Sequence, residues 1–204
     1  MNEDHVKTEI PKEQIDYRKL DKYIESLRPE QNFNLAVIAG VAATLIGAIA
    51  WAVITVATEY QIGFMAVGVG LIVGFTIREA GKGIDKKFGI LGASLALLGC
   101  LLGNFLSMVG FISAYVEMSY FETLISMDYS LLPELFAESF SVIDILFYGI
   151  ALSEGYKFAF RKITDEEILK HAKREEPQPL ESEISAEEIA LEPETLPLQN
   201  KIQK

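Results

Sequence analysis

Three stretches of this sequence carry no charged side chain: Asn34 to Thr58, Gln61 to Ile77, and Phe88 to Val116. A helix in water has to present a polar face, so a chain with three such runs has few ways to fold outside a bilayer. Residues 35–57 reach about 34 Å at helical rise, enough to cross a hydrocarbon core of about 30 Å. The polar turn that follows, Thr58-Glu59-Tyr60-Gln61, is so short that the next helix must run back beside the first. That second span, 62–77, is only about 24 Å long and is expected to borrow flanking residues. A third span, 88–115, is long enough to tilt. A fourth, 140–160, carries Asp144 and Glu154. The expectation is an all-α polytopic membrane four-helix bundle built as two hairpins. It divides into a tail with a short amphipathic helix (1–34), a membrane domain (35–160) and an acidic tail (161–204).

Orientation follows from Lys and Arg near the spans. Of the 18, six precede span one, at 7, 12, 18, 19, 22 and 28. Four lie between spans two and three, at 78, 82, 86 and 87. Eight lie at or beyond the end of span four, at 157, 161, 162, 170, 173, 174, 201 and 204. The two remaining connections have none. Only an even number of spans with both ends in the cytoplasm gives this pattern. Lys157, in the last turn of span four, is placed to snorkel to the cytoplasmic headgroups. Aromatic residues agree with this placement: Trp51, Tyr60, Tyr115 and Tyr120 toward the outer side, and Phe33, Tyr156, Phe158 and Phe160 toward the inner.

The flanking segments read differently. Leu20, Tyr23, Ile24 and Leu27 recur at helical spacing, with Pro29 as the stop. They form a small amphipathic helix for the inner membrane surface, for the bundle or for a soluble partner. Residues 116–139 alternate apolar and acidic side chains, as an amphipathic piece in the outer interface broken near Pro133 does. From Asp165 to Arg174 the pattern is helical, and beyond it a disordered acidic tail is expected. Eleven of the 29 acids lie between Asp165 and Glu194, so the net charge of −11 belongs mainly to that tail. It excludes nucleic acid as a partner, which would require a basic surface. The first 34 residues hold no apolar signal core, so span one is expected to act as its own insertion signal. Cys100 is the single cysteine, which rules out an intrachain disulfide. It follows Leu97-Leu98-Gly99, a loose lipoprotein box in the wrong part of the chain.

Four features carry functional weight. Gly70/Gly74 and Gly99/Gly103 have the spacing that lets membrane helices approach backbone to backbone. They serve either packing within the chain or a homo-oligomer seam. Ile38-x-Gly40 with Gly47 echoes Ile90-x-Gly92 with Gly99, and Gly68 with Gly74-Phe75 echoes Gly149 with Gly155-Tyr156. A duplication of this kind would be a parallel repeat about an axis along the membrane normal. Glu154 is an intramembrane carboxylate and so a candidate proton or cation site, with Asp144 nearer the outer end and Asn104 and Ser107 as neighbours. Glu154 can instead pair with Lys157 on the same helix face. The turn bearing Arg78, Lys82, Lys86 and Lys87 is suited to anionic headgroups, or serves only to fix topology. Gly81-Lys82-Gly83 is no phosphate loop, because Thr76 stands where a glycine is needed and Gly83 where a Ser or Thr is. Both histidines, His5 and His171, lie in polar segments, so no Cys/His pair or metal cluster forms by spacing. Neither a cofactor nor an enzymatic activity is expected.

The run from Tyr23 to Asn104 resembles a group of small bacterial multi-span membrane proteins without an assigned activity. The resemblance rests on Leu27 to Phe33, Tyr60-Gln61-Ile62-Gly63, Gly74-x-x-x-Arg78-x-x-Gly81-Lys82-Gly83, Phe88-Gly89-x-x-Gly92-Ala93, and Gly155-Tyr156-Lys157-Phe158. It implies the bacterial cytoplasmic membrane and carries over no site residues. The function expected is a non-enzymatic accessory or scaffold protein, a homo-oligomer or part of a larger membrane complex. The alternative is a small transporter or channel using Glu154 and Asn104.

Overall fold

A computed structural model describes residues 15–60, 63–139 and 141–174. Residues 1–14 and the acidic tail expected beyond residue 174 lie outside the described residues. Eight α-helices are present among those described. They are α1 (Tyr17–Leu27), α2 (Phe33–Thr58), α3 (Phe64–Gly81), α4 (Lys86–Tyr115), α5 (Tyr120–Ser126), α6 (Leu132–Ser139), α7 (Val142–Phe158) and α8 (Asp165–Ala172). Single 3₁₀ turns follow α1 and precede α6.

Three of these helices, α2, α3 and α4, are long and apolar enough to cross a membrane. The segment Tyr129–Glu138 with α7 makes a fourth only if that pair, bent by 100°, counts as one span. The surface is that of a membrane protein. On α2, Ile38, Leu45, Ile46, Ile49 and Val53 face outward, while Ala36, Gly40, Ala43, Gly47 and Ala48 face inward. Large apolar side chains outside and small ones inside suit hydrocarbon and would be insoluble in water.

Around the bundle, α2 packs on α3, α3 on α7, α7 on α4 and α4 on α2, with α3 and α4 meeting across the short diagonal. Matched contacts set the directions. Thr44 meets Leu95 and Trp51 meets Gly103, so α2 and α4 run parallel. Gly63 meets Phe147 and Gly74 meets Phe158, so α3 and α7 also run parallel. This ring lacks the symmetry that a parallel repeat about the membrane normal would bring. A half-turn about the membrane normal exchanges opposite corners, here α2 with α7 and α3 with α4, and each of those pairs runs in opposite directions.

Four local expectations change. The turn expected over 78–87 shrinks to residues 82–85, because α3 continues through Arg78 to Gly81 and α4 begins at Lys86. Gly81 and Gly83 sit so close to the Phe88 ring that a Cβ at either would strike it. Lys82 closes α3 in the left-handed conformation, φ 47°, its N–H donating to Arg78 O at 2.8 Å. The outer piece breaks at Met127–Asp128 rather than at Pro133. Asp128 there caps the turn by accepting from Ser130 N at 2.9 Å. Pro133 falls in the first turn of α6, where no N–H is needed. Trp51 is not an interfacial anchor: it is 1% exposed, inside the bundle, whereas Tyr60 and Tyr115 are fully outward. Finally, α1 packs against α8, a neighbour the sequence did not assign.

Candidate functional site

Small residues set how closely the helices meet. A Cβ on Gly70 would lie 2.6 Å from Ala151 O, and one on Gly74 would lie 2.9 Å from Phe158 Cβ. Gly99 faces Val69 and Thr44, and Gly103 faces the Trp51 ring. Gly92 and Gly155 face each other, so α4 and α7 touch backbone to backbone. All four candidate packing glycines are therefore occupied within the chain. A seam with a second copy cannot use them while the bundle is closed.

Above these seams, toward the end of the bundle where α2 ends and α7 begins, polar side chains gather inside. From α2 come Trp51 and Thr55, from α4 Asn104 and Ser107, and from α7 Asp144 and Tyr148, each buried. The Tyr148 hydroxyl meets Asn104 Nδ2 at 3.4 Å and donates to Cys100 O at 3.5 Å. The Tyr148 ring stands edge-to-face on Trp51, centroids 6.5 Å apart. Ser107 Oγ donates to Gly103 O at 2.7 Å. Asp144 lies one helical turn from Tyr148 and accepts from Ser141 N at 2.8 Å, closing the first turn of α7. Trp51 Nε1 and Thr55 Oγ1 are buried with no protein partner. Such a cluster of hydrogen-bonding groups in a low dielectric can fix helix register or hold a small polar solute.

Glu154 does not join this cluster. It lies toward the other end of α7 and pairs with Lys157 at 3.8 Å, three residues along the same face. The structure thus joins Asn104 to Tyr148, one turn from Asp144, and separates Glu154 from both. Among the described residues no three His, Cys, Asp or Glu side chains are placed to hold a metal ion.

The basic turn also divides. Arg78 turns back onto the protein. Its Nε and Nη2 each meet Glu79 at 2.9 Å, its guanidinium covers Phe75 at 4.6 Å, and its Nη1 is buried. Lys82 and Lys86 are exposed. Lys87 is half-exposed, 3.7 Å from Asp85 and above the Phe33 and Phe88 rings. The three lysines are available to headgroups, whereas the Arg78 guanidinium is engaged by the protein.

Beside that turn residues 15–31 and 161–173 lock together. Asp16 N donates to Ala172 O at 2.8 Å, and Ile15 forms an isolated antiparallel bridge with Lys173. Tyr23 stacks on His171 with centroids 4.2 Å apart. Gln31 accepts from the backbone of Ile84 and Asp85 and donates to the Asp85 carboxylate at 3.1 Å. Arg161 ties the pieces: its N–H donates to Gly83 O at 2.7 Å and its guanidinium meets Glu30 at 2.8 Å and Glu167 at 4.0 Å. Hydrogen bonds from the Thr164 backbone hold the Glu167 carboxyl below its usual range. A depressed carboxyl stabilises the fold above its unfolded value and loses that effect as pH falls through the folded one. The sequence showed the apolar face of α1 and a helical pattern over 165–174, but nothing in their spacing says that each is the other's partner.

Arg161→Ala should loosen this clasp by about 1 kcal/mol, since the pair with Glu30 is partly exposed. Limited proteolysis within α1 should then run roughly fivefold faster, because cleavage follows the open population. In the unaltered protein, protection of α1 should fade as pH drops below 4.5, the ordinary value for Glu167.

Compared with family models, curated proteins and solved structures, the chain matches none.

Proposed function

We propose that the protein is a non-enzymatic scaffold of the bacterial cytoplasmic membrane, crossing it four times as two hairpins with both ends in the cytoplasm. It belongs, on this reading, with the small multi-span proteins its sequence resembles. The observation that carries the reading is the clasp. The segments 15–31 and 161–173 fold onto each other and onto the α3–α4 turn, making one platform on the side where Lys82, Lys86 and Lys87 lie. Lysines at that level attract anionic headgroups at about 1 kcal/mol each. A platform fixed to a membrane bundle suits docking of a soluble or membrane partner, in a larger complex or a homo-oligomer formed through outward surfaces.

Two measurements test it. Cysteine labelling has a clean background because Cys100 is buried. Asp128→Cys should react with an impermeant maleimide in intact cells, and Lys86→Cys only after the cells are opened; the reverse pattern rejects the topology. Affinity purification in mild detergent should retain a stable partner that Arg161→Ala weakens. An isolated protomer with nothing bound would reject the scaffold.

One observation favours a second reading, a small transporter or channel: the buried cluster around Asn104, Tyr148 and Asp144 with the unpartnered Trp51 Nε1 and Thr55 Oγ1. Intramembrane polar groups of this kind mark solute paths. Flux in liposomes should then vanish in Asp144→Asn and persist in Glu154→Gln. Flux equal to empty vesicles in the unaltered protein excludes transport.

A further inference from the structure

Near the end of α2 away from the clasp, a cavity of about 570 Å³ opens on the flank of the bundle. Three helices wall it: α2 with Ala52 and Val56, α4 with Leu106, Gly110 and Ser113, and α5 with Tyr120. We propose that this groove binds one acyl chain of a phospholipid in the leaflet opposite the clasp. The assignment needs only that α2 and α4 span the membrane, and it stands whether or not the protein is a scaffold or a transporter.

Three observations point to a hydrocarbon chain. First, the groove's side chains offer no free hydrogen-bond donor. Its two hydroxyls donate to helix backbone, Ser113 Oγ to Gly110 O at 2.9 Å and the Tyr120 hydroxyl to Leu106 O at 3.0 Å. A headgroup phosphate or the carbonyls of an extended peptide would find no side-chain donor there. Second, its rim includes Ile49 and Val53, which are 55% and 62% exposed. The groove therefore continues the apolar surface that α2 shows to lipid. Third, α2, α4 and α5 wall the groove on three sides, its α2 lining from Ile49 to Ala57 running about 12 Å along the axis. An apolar chain there would have protein on three sides in place of mobile lipid, gaining dispersion contacts along its length.

The full-length protein, delipidated in a mild detergent and re-exposed to vesicles of phosphatidylglycerol and phosphatidylethanolamine, can be tested by native mass spectrometry. The unaltered protein should retain one phospholipid at collision energies that strip annular lipid. Ala52→Phe and Ser113→Phe, which fill the groove, should retain at least tenfold less. Ile72→Phe, on the exposed face of α3, should retain it fully. Ala57→Leu fills the groove more gently and guards against a folding defect; monodisperse elution qualifies each variant. Absence of the adduct in the unaltered protein overturns the proposal, as does equal retention in all variants. A dimer lost on filling the groove would overturn it in favour of a second copy.

Discussion

Gly155→Leu is expected to prevent the four long helices from assembling. A Cβ on Gly155 would lie 2.6 Å from Gly92 O and 2.8 Å from Ala96 Cβ. The first of those atoms belongs to helix backbone, which cannot swing aside as a side chain can. Leucine there must push α4 and α7 apart along the whole seam, at a cost of at least about 3 kcal/mol. That is a large part of a typical stability margin. The measurement is unfolding in mixed micelles followed by circular dichroism, alongside elution in mild detergent. The variant should elute as aggregate or lose its cooperative transition. Gly68→Ala and Gly149→Ala supply the contrast, since nothing lies within 4 Å of a Cβ at either position. Replacing a helical glycine in open space should stabilise by about 0.5–1 kcal/mol. Equal behaviour of Gly155→Leu and Gly68→Ala would contradict the α4–α7 seam.

Trp51→Ala should destabilise the bundle by about 3–5 kcal/mol, as removal of a large buried aromatic does. The indole rests on Gly103, meets Tyr148 edge-to-face and is almost wholly enclosed. Nothing small can collapse into that space, because the glycine beneath it has no side chain to extend. Trp51→Phe should recover part of the loss and so separate packing from chemistry. An interfacial tryptophan would behave otherwise: its removal would weaken membrane anchoring and leave the transition nearly unchanged. A transition unaltered in Trp51→Ala would return Trp51 to that interfacial role.

Gly70, Gly74, Gly99 and Gly103 were identifiable from spacing alone, because a backbone approach needs a small residue every fourth position. The same spacing could not say whether the facing helix comes from the same chain. Glu154 and Lys157 were identifiable as a pair for a similar reason, being three apart on one helix. Asn104 could not be matched with Tyr148, which lies 44 residues away on another helix. The clasp was hidden for the same reason. Tyr23 and His171 stack only because α1 and α8 return to one place, and neither segment is apolar enough to announce the other.

Insertion into a membrane was decided by the sequence itself. Transfer of a helix into hydrocarbon sums over its own side chains, and the runs 34–58, 61–77 and 88–116 need no neighbour to be apolar. Everything that depends on who faces whom was left to tertiary structure: the ring of α2, α3, α7 and α4, Trp51 facing inward, Arg78 folded back onto Glu79, and α1 clasped to α8. In hydrocarbon the solvent is as apolar as the helices, so pattern alone does not choose a partner face. Shape does, through the few places where backbones can touch.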